Sequence, residues 1–316
     1  MRGKTWGAVV ALHLGLVAVL FALNFVLPVY HQGVLARVMV LAVYAIGYNI
    51  AFGYTGLLSL GHAMFFGAGL YGAGLMGLHF GMSALPAWLV GTGAGALLAL
   101  VVGALALRTA GVSFMIVTLM FAQAVYLTIL YFGDITHGDD GFVVPGVSRT
   151  LAGIDLSQQH PRYLVGWVLF SAALLFSLWL VRAPFGRVLV AIRENEERAR
   201  LLGYDTGRRK LGALVISGAI SAASGAAYGL LFGYVGASFA GVQYSIFALL
   251  WVLLGGAGTV LGPFVGTLFM FYLIDLATGV TDAYMLIAGV VLVGLTLFAP
   301  QGIVGEVRRR LWRDLP

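Results

Sequence analysis

Ten long stretches of this chain are almost free of charge, and that feature narrows its folds more than any other. They cover 6–27, 34–53, 57–80, 84–107, 111–132, 162–182, 211–233, 241–257, 259–278 and 282–299. Each approaches or exceeds the roughly 20 apolar residues with which an α-helix crosses a bilayer core. Inside lipid a backbone must satisfy its own polar groups, which leaves helices or a closed barrel. Barrel strands alternate in polarity over about ten residues, whereas these runs are continuously apolar. The 61% hydrophobic share and mean hydropathy of +0.99 exceed the roughly 45–50% apolar content of soluble domains. The expectation is an all-α integral membrane protein of about ten transmembrane helices, with 1–316 forming one transmembrane domain.

Lys and Arg set the orientation, because they favour cytoplasmic loops. With the N-terminus inside, the cytoplasmic pieces carry Arg2, Lys4, Arg108, the basic residues from Arg182 to Lys210, and Arg308, Arg309, Arg310 and Arg313. That is 15 of the 18 basic residues; Arg37, Arg149 and Arg162 fall elsewhere. Both termini are therefore expected in the cytoplasm. The 133–161 loop is expected outside, with Asp134, Asp139, Asp140 and Asp155. The first apolar run is too long for the 7–15-residue core of a signal peptide, and reads as an uncleaved span. Gly3-Lys4-Thr5 lacks the preceding glycine loop and strand of a phosphate-binding motif. With no cysteine in the chain, disulfides and thiolate metal sites are excluded. The basic residues beside spans give no sign of nucleic-acid binding.

A weak echo joins the two halves. Phe52-Gly53-Tyr54-Thr55-Gly56 recurs as Phe232-Gly233-Tyr234-Val235-Gly236, each at the end of a span. Five intervening spans give the copies opposite orientation, which suggests an inverted internal repeat of the kind transporters use. The third span is crowded with glycine (Gly53, Gly56, Gly61, Gly67, Gly69, Gly72, Gly74, Gly77) and holds Ser59 and His62. Glycine permits close helix packing, and also unwound backbone along a polar cavity. The eighth span is short and ends Gly255-Gly256-Ala257-Gly258, so it reads as broken or re-entrant. Asn49, Gly56, Ser59, Gly61, His62, Gln123, Gly255, Gly256 and Gly258 are candidate substrate-pathway residues; interhelical hydrogen bonding and packing are the alternative roles. Asp275 and Asp282 fall near outer span ends. No nucleophile–base–orienter set and no metal-ligand cluster occurs, so an enzyme is not expected and no cofactor or metal is assigned to this chain.

Between the sixth and seventh spans lies a polar island, Ala183 to Lys210, with 11 charged residues among 28. Such charges cost about 2.5–3.5 kcal/mol each at the centre of a membrane helix, so this loop lies in water. Pro184 and Gly186 break the preceding span. Val188, Ile192, Ala199 and Leu202 fall near one helical face. Asn195 is a helix N-cap residue, Glu196 and Glu197 suit the first turn, and Glu196–Arg200 is an i,i+4 ion pair. Gly203 supplies a C-terminal stop, giving a helix over 196–202. Asp205 or Thr206 then caps the next span. A helix so short and charged is a poor membrane anchor and suits a groove on a soluble partner.

Several motifs resemble LivM-type permeases, membrane subunits of ABC importers for branched-chain amino acids with relatives for urea and amides. In order they are Gly53-Tyr-Thr-Gly-Leu-Leu-Ser-Leu-Gly-His62 with Phe65-Phe-Gly67, Val117-Thr-Leu119 with Phe121-Ala122, Asp139-Asp-Gly141, Ala183-Pro-Phe-Gly-Arg187, Ala191-Ile-Arg-Glu-Asn-Glu196, Leu202-Gly-Tyr204, Arg209-Lys-Leu211, Gly255-Gly-Ala-Gly258 with Gly262-Pro263, and Pro300-Gln-Gly302. Leu57 stands where many relatives have Gln, and His137 where Gly is common. The resemblance implies a permease subunit in the inner membrane that pairs with a second homologous permease subunit, two cytoplasmic ATPases carrying ATP and Mg, and a periplasmic solute-binding protein. It implies that Arg193, Glu194, Asn195, Glu196, Glu197, Ala199, Leu202 and Gly203 form the ATPase-coupling element. The substrate expected is a branched-chain amino acid, with urea or short amides as the alternative. A stand-alone secondary transporter or channel, with His62 or Asp275 carrying a proton, is the rival class.

Overall fold

A computed structural model describes residues 2–279 and 283–310; the positions expected for Asp282 and Arg313 lie outside them. The helices are α1 (Arg2–Val26), α2 (Val29–Asn49), α3 (Ala63–Phe80), α4 (Ala84–Ala106), α5 (Val112–Tyr131), α6 (Gly133–Thr136), α7 (Gln159–Arg182), α8 (Pro184–Glu194), α9 (Glu196–Leu201), α10 (Thr206–Phe232), α11 (Val242–Gly255), α12 (Gly262–Thr278), α13 (Tyr284–Phe298) and α14 (Gly302–Arg310). An apolar helix lies in each of the ten expected runs, which makes this an all-α membrane protein. Seven are long and apolar enough to cross a membrane on their own. α11, α12 and α13 have 14, 17 and 15 residues, short of the roughly 20 that a full span needs.

α2 is the central post. From Val34 to Asn49 every residue except Arg37 is buried, because α7, α10, α11 and α12 all pack on it. A one-turn π-helix, Ile50–Tyr54, extends it. Against it stands a tight sandwich of α3, α4 and α10. Small residues bring these backbones together: a Cβ on Gly69 would overlap the backbone of Ala222, and one on Gly225 would overlap that of Phe66. Membrane helices gain from such close van der Waals contact because lipid supplies no hydrophobic drive between them. Hydroxyl and indole donors bind carbonyls of neighbouring helices, as in Ser224 Oγ to Val40 O (2.6 Å), Tyr163 OH to Leu20 O (2.6 Å) and Trp167 Nε1 to Val17 O (2.8 Å). Each such bond contributes about 0.6 kcal/mol on average. α4 and α5 instead turn Leu89, Leu97, Ile116, Met120 and Leu127 outward.

The 183–205 segment and α14 share one end of the bundle, termed the island side. The far side carries the 133–158 loop, in which two short strands form a hairpin (Thr150–Leu151, Ile154–Asp155). A third strand there, Phe142–Val143, pairs antiparallel with Tyr234–Val235. His137 has φ of 61°, the left-handed conformation that glycine adopts without a Cβ penalty.

The sequence echo corresponds to one device used twice. Each copy ends a long helix, and each is followed by a break in α-helix: 55–62 before α3, and 233–241, which holds the Tyr234–Val235 strand and a 3-10 turn at Ala237–Ala240, before α11. The second stretch descends along α3, from Val235 beside Gly74 to Ala240 beside Gly67. α11 therefore starts partway down the bundle, which is why it is short. The third helix likewise begins at Ala63, not at 57. Gly56 to His62 form its unwound entry.

Candidate functional site

Two features converge on the island side: the charged segment between α7 and α10, and the glycine-rich turns at the island-side ends of α2 and α11. The segment is more ordered than its sequence suggests. Pro184 does end α7, but as a first-turn residue of α8, where its missing N–H is harmless. Asn195 separates α8 from α9 and caps the latter, its Oδ1 accepting from Arg198 N at 2.8 Å. Gly203 ends α9 at φ 88°. Asp205, not Thr206, caps α10 by accepting from Arg208 N at 3.0 Å. Val188, Ile192 and Ala199 form a small apolar core between α8 and α9.

Leu202 departs from expectation. It is 70% exposed instead of joining that core, because the chain leaves the helix at this residue and heads for the Gly203 turn. Its neighbour Leu201, which the helical-face reading passed over, is 89% exposed, and Tyr204 is exposed beside them. Ala199 is buried, so its role is to hold α9 down, and it does not face a partner. Glu194 and Glu197 are exposed. Glu196 is tied twice, to Arg200 at 3.1 Å and to Lys210 at 2.8 Å.

Burial alone would raise the Glu196 carboxyl, but the hydrogen bond and charge of Lys210, with Thr206 and Arg200, outweigh it and leave its pKa below the ordinary value. A carboxyl lowered on folding stabilises the fold above its unfolded pKa, and that contribution is lost as pH falls through the folded one. Hydrogen exchange of the α9 amides should therefore be faster in Glu196→Gln than in wild type at pH 7. The difference should shrink as pH falls through the lowered folded pKa and the carboxylate takes up its proton.

Arg193, exposed along its flank, reaches back to the bundle. Its Nη1 donates to Gly53 O at the end of the π-turn, and it lies against Gly56 and Gly258. Asn49 completes the junction from within the bundle: its Nδ2 donates to Thr259 O at 2.9 Å and its Oδ1 accepts from Gly258 N at 2.9 Å. One arginine and one asparagine thus fasten the α8–α9 segment, the end of α2 and the α11–α12 turn at a single point. Gly256 and Gly258 hold φ of 120° and 77° there, and Gly255 packs face to face with Gly262 O, where a Cβ would overlap. Two cavities flank the arginine. One, of about 550 Å³, is lined by Phe52, Thr259, Gln301 and Arg308 among others; the second, of about 490 Å³, lies between 55–58, 109–115 and 192–196.

The remaining candidates separate into two groups. His62, fully buried, has Nε2 2.9 Å from Ser217 Oγ, which in turn donates to Gly47 O. Its ring sits among Tyr44, Tyr48 and Phe65, and its Nδ1 has no partner. Ser59 O accepts from Tyr48 OH, and Gly61 packs on the Thr118 carbonyl. These residues line the unwound entry to α3. Gln123 is not among them: it is exposed on the outward face of α5. Asp275 accepts from Tyr30 OH at 2.7 Å on the far side. Among the described residues no group of acidic or His side chains could hold a metal.

Comparison with known proteins gives this arrangement a context. A family model described as "Branched-chain amino acid transport system / permease component" matches residues 30–299. The high-affinity branched-chain amino acid transport system permease protein LivM of Salmonella typhimurium is 29% identical over 301 residues, covering 86% of this chain and 69% of that protein, and LivM of Escherichia coli gives the same values. The autoinducer 2 import system permease protein LsrC of Klebsiella pneumoniae is 33% identical over 112 residues, 34% of this chain and 32% of its own. No solved structure matches. The relatives are transport permeases, not enzymes.

Proposed function

The chain belongs to the family of branched-chain amino acid transport permease components, and from that membership we propose that it is the membrane subunit of an ATP-driven importer for branched-chain amino acids. In this reading it lies in the inner membrane with both termini cytoplasmic, as one permease domain. It pairs with a second homologous permease subunit and takes solute from a periplasmic binding protein. It binds no cofactor itself; ATP and Mg belong to two cytoplasmic ATPase subunits.

The observation that carries the proposal is the junction at Arg193. A coupling element must transmit a partner's movement to the spans, and a ligand or partner shifts an equilibrium only through contacts that differ between states. α9 is capped at both ends, held by Glu196, and joined through Arg193 to the ends of α2 and α11. Leu201, Leu202 and Tyr204 form an exposed apolar tip beyond it, suited to a cleft on an ATPase. Arg193, Glu194, Asn195, Glu196, Glu197, Leu202 and Gly203 then serve as coupling residues, with Ala199 as their internal support. Asn49, Gly56, Ser59, Gly61, His62, Gly255, Gly256 and Gly258 line or brace the inner end of the pathway.

Uptake of branched-chain amino acids into proteoliposomes holding the complete complex tests the proposal. It should require ATP and the binding protein together; uptake driven by a proton gradient alone would favour the secondary-transporter class. Replacing Leu201 and Leu202 together by Asp should weaken capture of the ATPase by about 2 kcal/mol or more, the range of interface hot spots, while the chain still inserts. Copurification of tagged permease with the ATPase reads this directly.

A further inference from the structure

All three basic residues that the topology leaves on the far side meet at one place. Arg37 and Arg162 lie 5.1 and 5.7 Å from the centroid of the Phe232 ring. Arg149 donates from Nε and Nη2 to Leu230 O and Leu231 O, at 2.9 and 2.8 Å. Arg149 is thereby committed to the end of α10. The other two are not neutralised. Arg37 forms no ion pair among the described residues, and Arg162, whose Nη2 donates to Ser157 O, keeps a buried Nε without a hydrogen-bond partner. Asp155, whose field reaches Arg149 and Arg162, has both oxygens engaged by Ser157, at 2.8 and 2.6 Å.

Energetic cost argues against a lipid-facing role for Arg37. It lies about 12 Å along α2 from Val29, at 1.5 Å per residue, on a helix enclosed by α7, α10, α11 and α12. A charge facing lipid is costly, and ionisable residues within spans face cavities as a rule. By that rule the exposed Arg37, stacked on Phe232, faces a gap between spans and not lipid. Beyond Phe232 an aromatic wall leads inward, Phe232 to Tyr228 (4.8 Å), Tyr228 to Phe239 (5.1 Å), Phe239 to Tyr244 (5.1 Å) and Tyr244 to Tyr44 (6.0 Å). Arg37 lies within electrostatic reach of the Tyr228 and Tyr244 hydroxyls.

We propose that Arg37 and Arg162 form a carboxylate-binding site in this crevice, holding the acid group of a small amphipathic solute while its apolar part lies on Phe232, Phe239 and Tyr244. The proposal rests on the importer reading and narrows its solute class: a neutral urea or amide would leave both guanidinium groups without a counter-charge. Guanidinium groups bind carboxylates through charge-assisted, often bidentate hydrogen bonds, and the aromatic wall supplies apolar contact without closing the crevice.

The absence of cysteine in this chain makes a direct test available. A single cysteine is placed at Gln243, exposed and next in the chain to Tyr244, in the full importer assembled with cysteine-free partner subunits. Its rates of modification by an anionic sulfonatoethyl and a cationic trimethylammonioethyl thiosulfonate are compared without ATP. Arg37→Gln should lower the anion-to-cation rate ratio by at least about fivefold, the effect of one nearby charge at intermediate dielectric. Arg37→Lys should preserve the ratio, and Arg162→Gln should lower it in a background that keeps Arg37. L-leucine should slow the anionic reagent in the parent and not in Arg37→Gln. An unchanged ratio in Arg37→Gln and Arg162→Gln overturns the site. Slowing by the binding protein alone, or by anionic lipid alone, with no effect of leucine, overturns the solute assignment in favour of an acidic partner or a lipid phosphate. Because no ATP is used, a failure of ATP-driven uptake with these ratios intact counts against the importer reading and leaves the site standing.

Discussion

Arg193→Ala is expected to reduce ATP-driven uptake at least about tenfold while ATP hydrolysis by the assembled complex continues. Coupling free energies between sites run at about 1–3 kcal/mol, a factor of roughly 5–150, and Arg193 supplies the side-chain link from the α8–α9 segment to the end of α2. Its removal leaves Gly53 O without the donor it now has and frees the α11–α12 turn from one of its two supports. The Asn195 cap, the Glu196 ties and the Leu201–Leu202 tip are untouched, so the ATPase should still bind. Arg193→Lys should recover part of the uptake, because an ammonium can donate to Gly53 O but is too compact to cover Gly56 and Gly258 as well. Parallel measurement of uptake and phosphate release in proteoliposomes decides the matter. Equal loss of both, or loss of the assembled complex, would reduce Arg193 to a structural residue.

Gly255→Ala is expected to act differently, by destabilising the chain itself. The added Cβ would overlap Gly262 O and crowd the Gly262 backbone, and neither carbonyl nor backbone can swing away as a long side chain can. Overpacking of this sort costs about 1–3 kcal/mol in well-packed cores, and a backbone clash belongs at the upper end. The variant should therefore melt several degrees lower in detergent and give less folded protein. Gly279→Ala, whose Cβ would meet only Leu276 O at 3.5 Å, is the control and should melt with the parent. If Gly255→Ala melts normally yet loses uptake, this glycine serves the pathway directly.

The apolar runs made the helices legible, because bilayer length and charge cost leave the chain few alternatives. The island was equally readable where its rules are local: Asn195 and Asp205 accept from backbone N–H groups three residues on, Gly203 takes the left-handed turn, and each does what its residue type implies. What depends on distant partners was not readable. Leu202 lies on the right helical face by spacing, yet the chain turns away before that face can be buried. Gln123 is polar in an apolar run, which gives no indication of whether it points into the bundle or out of it. The resemblance placed Arg193 in the coupling element, but its bond to Gly53, 140 positions earlier, had no sequence signal. The convergence of Arg37, Arg149 and Arg162 was likewise hidden in three separate segments. The one clue was that all three broke the charge asymmetry that sets the orientation.

The repeated Phe-Gly-Tyr segments carry a consequence for how the bundle is fastened. Each closes a long helix whose last carbonyls lack internal partners, and each receives one arginine from the loop on its own side: Arg193 at Gly53, and Arg149 at Leu230, Leu231 and Gly233. These behave as two rivets at opposite ends, with no shared side chain between them. Either can be drawn while its helix stays wound, since only capping bonds are lost. In the proposed importer a bundle riveted in this way can loosen at one end while the other stays shut, and a passage that must never stand open at both ends would depend on that independence.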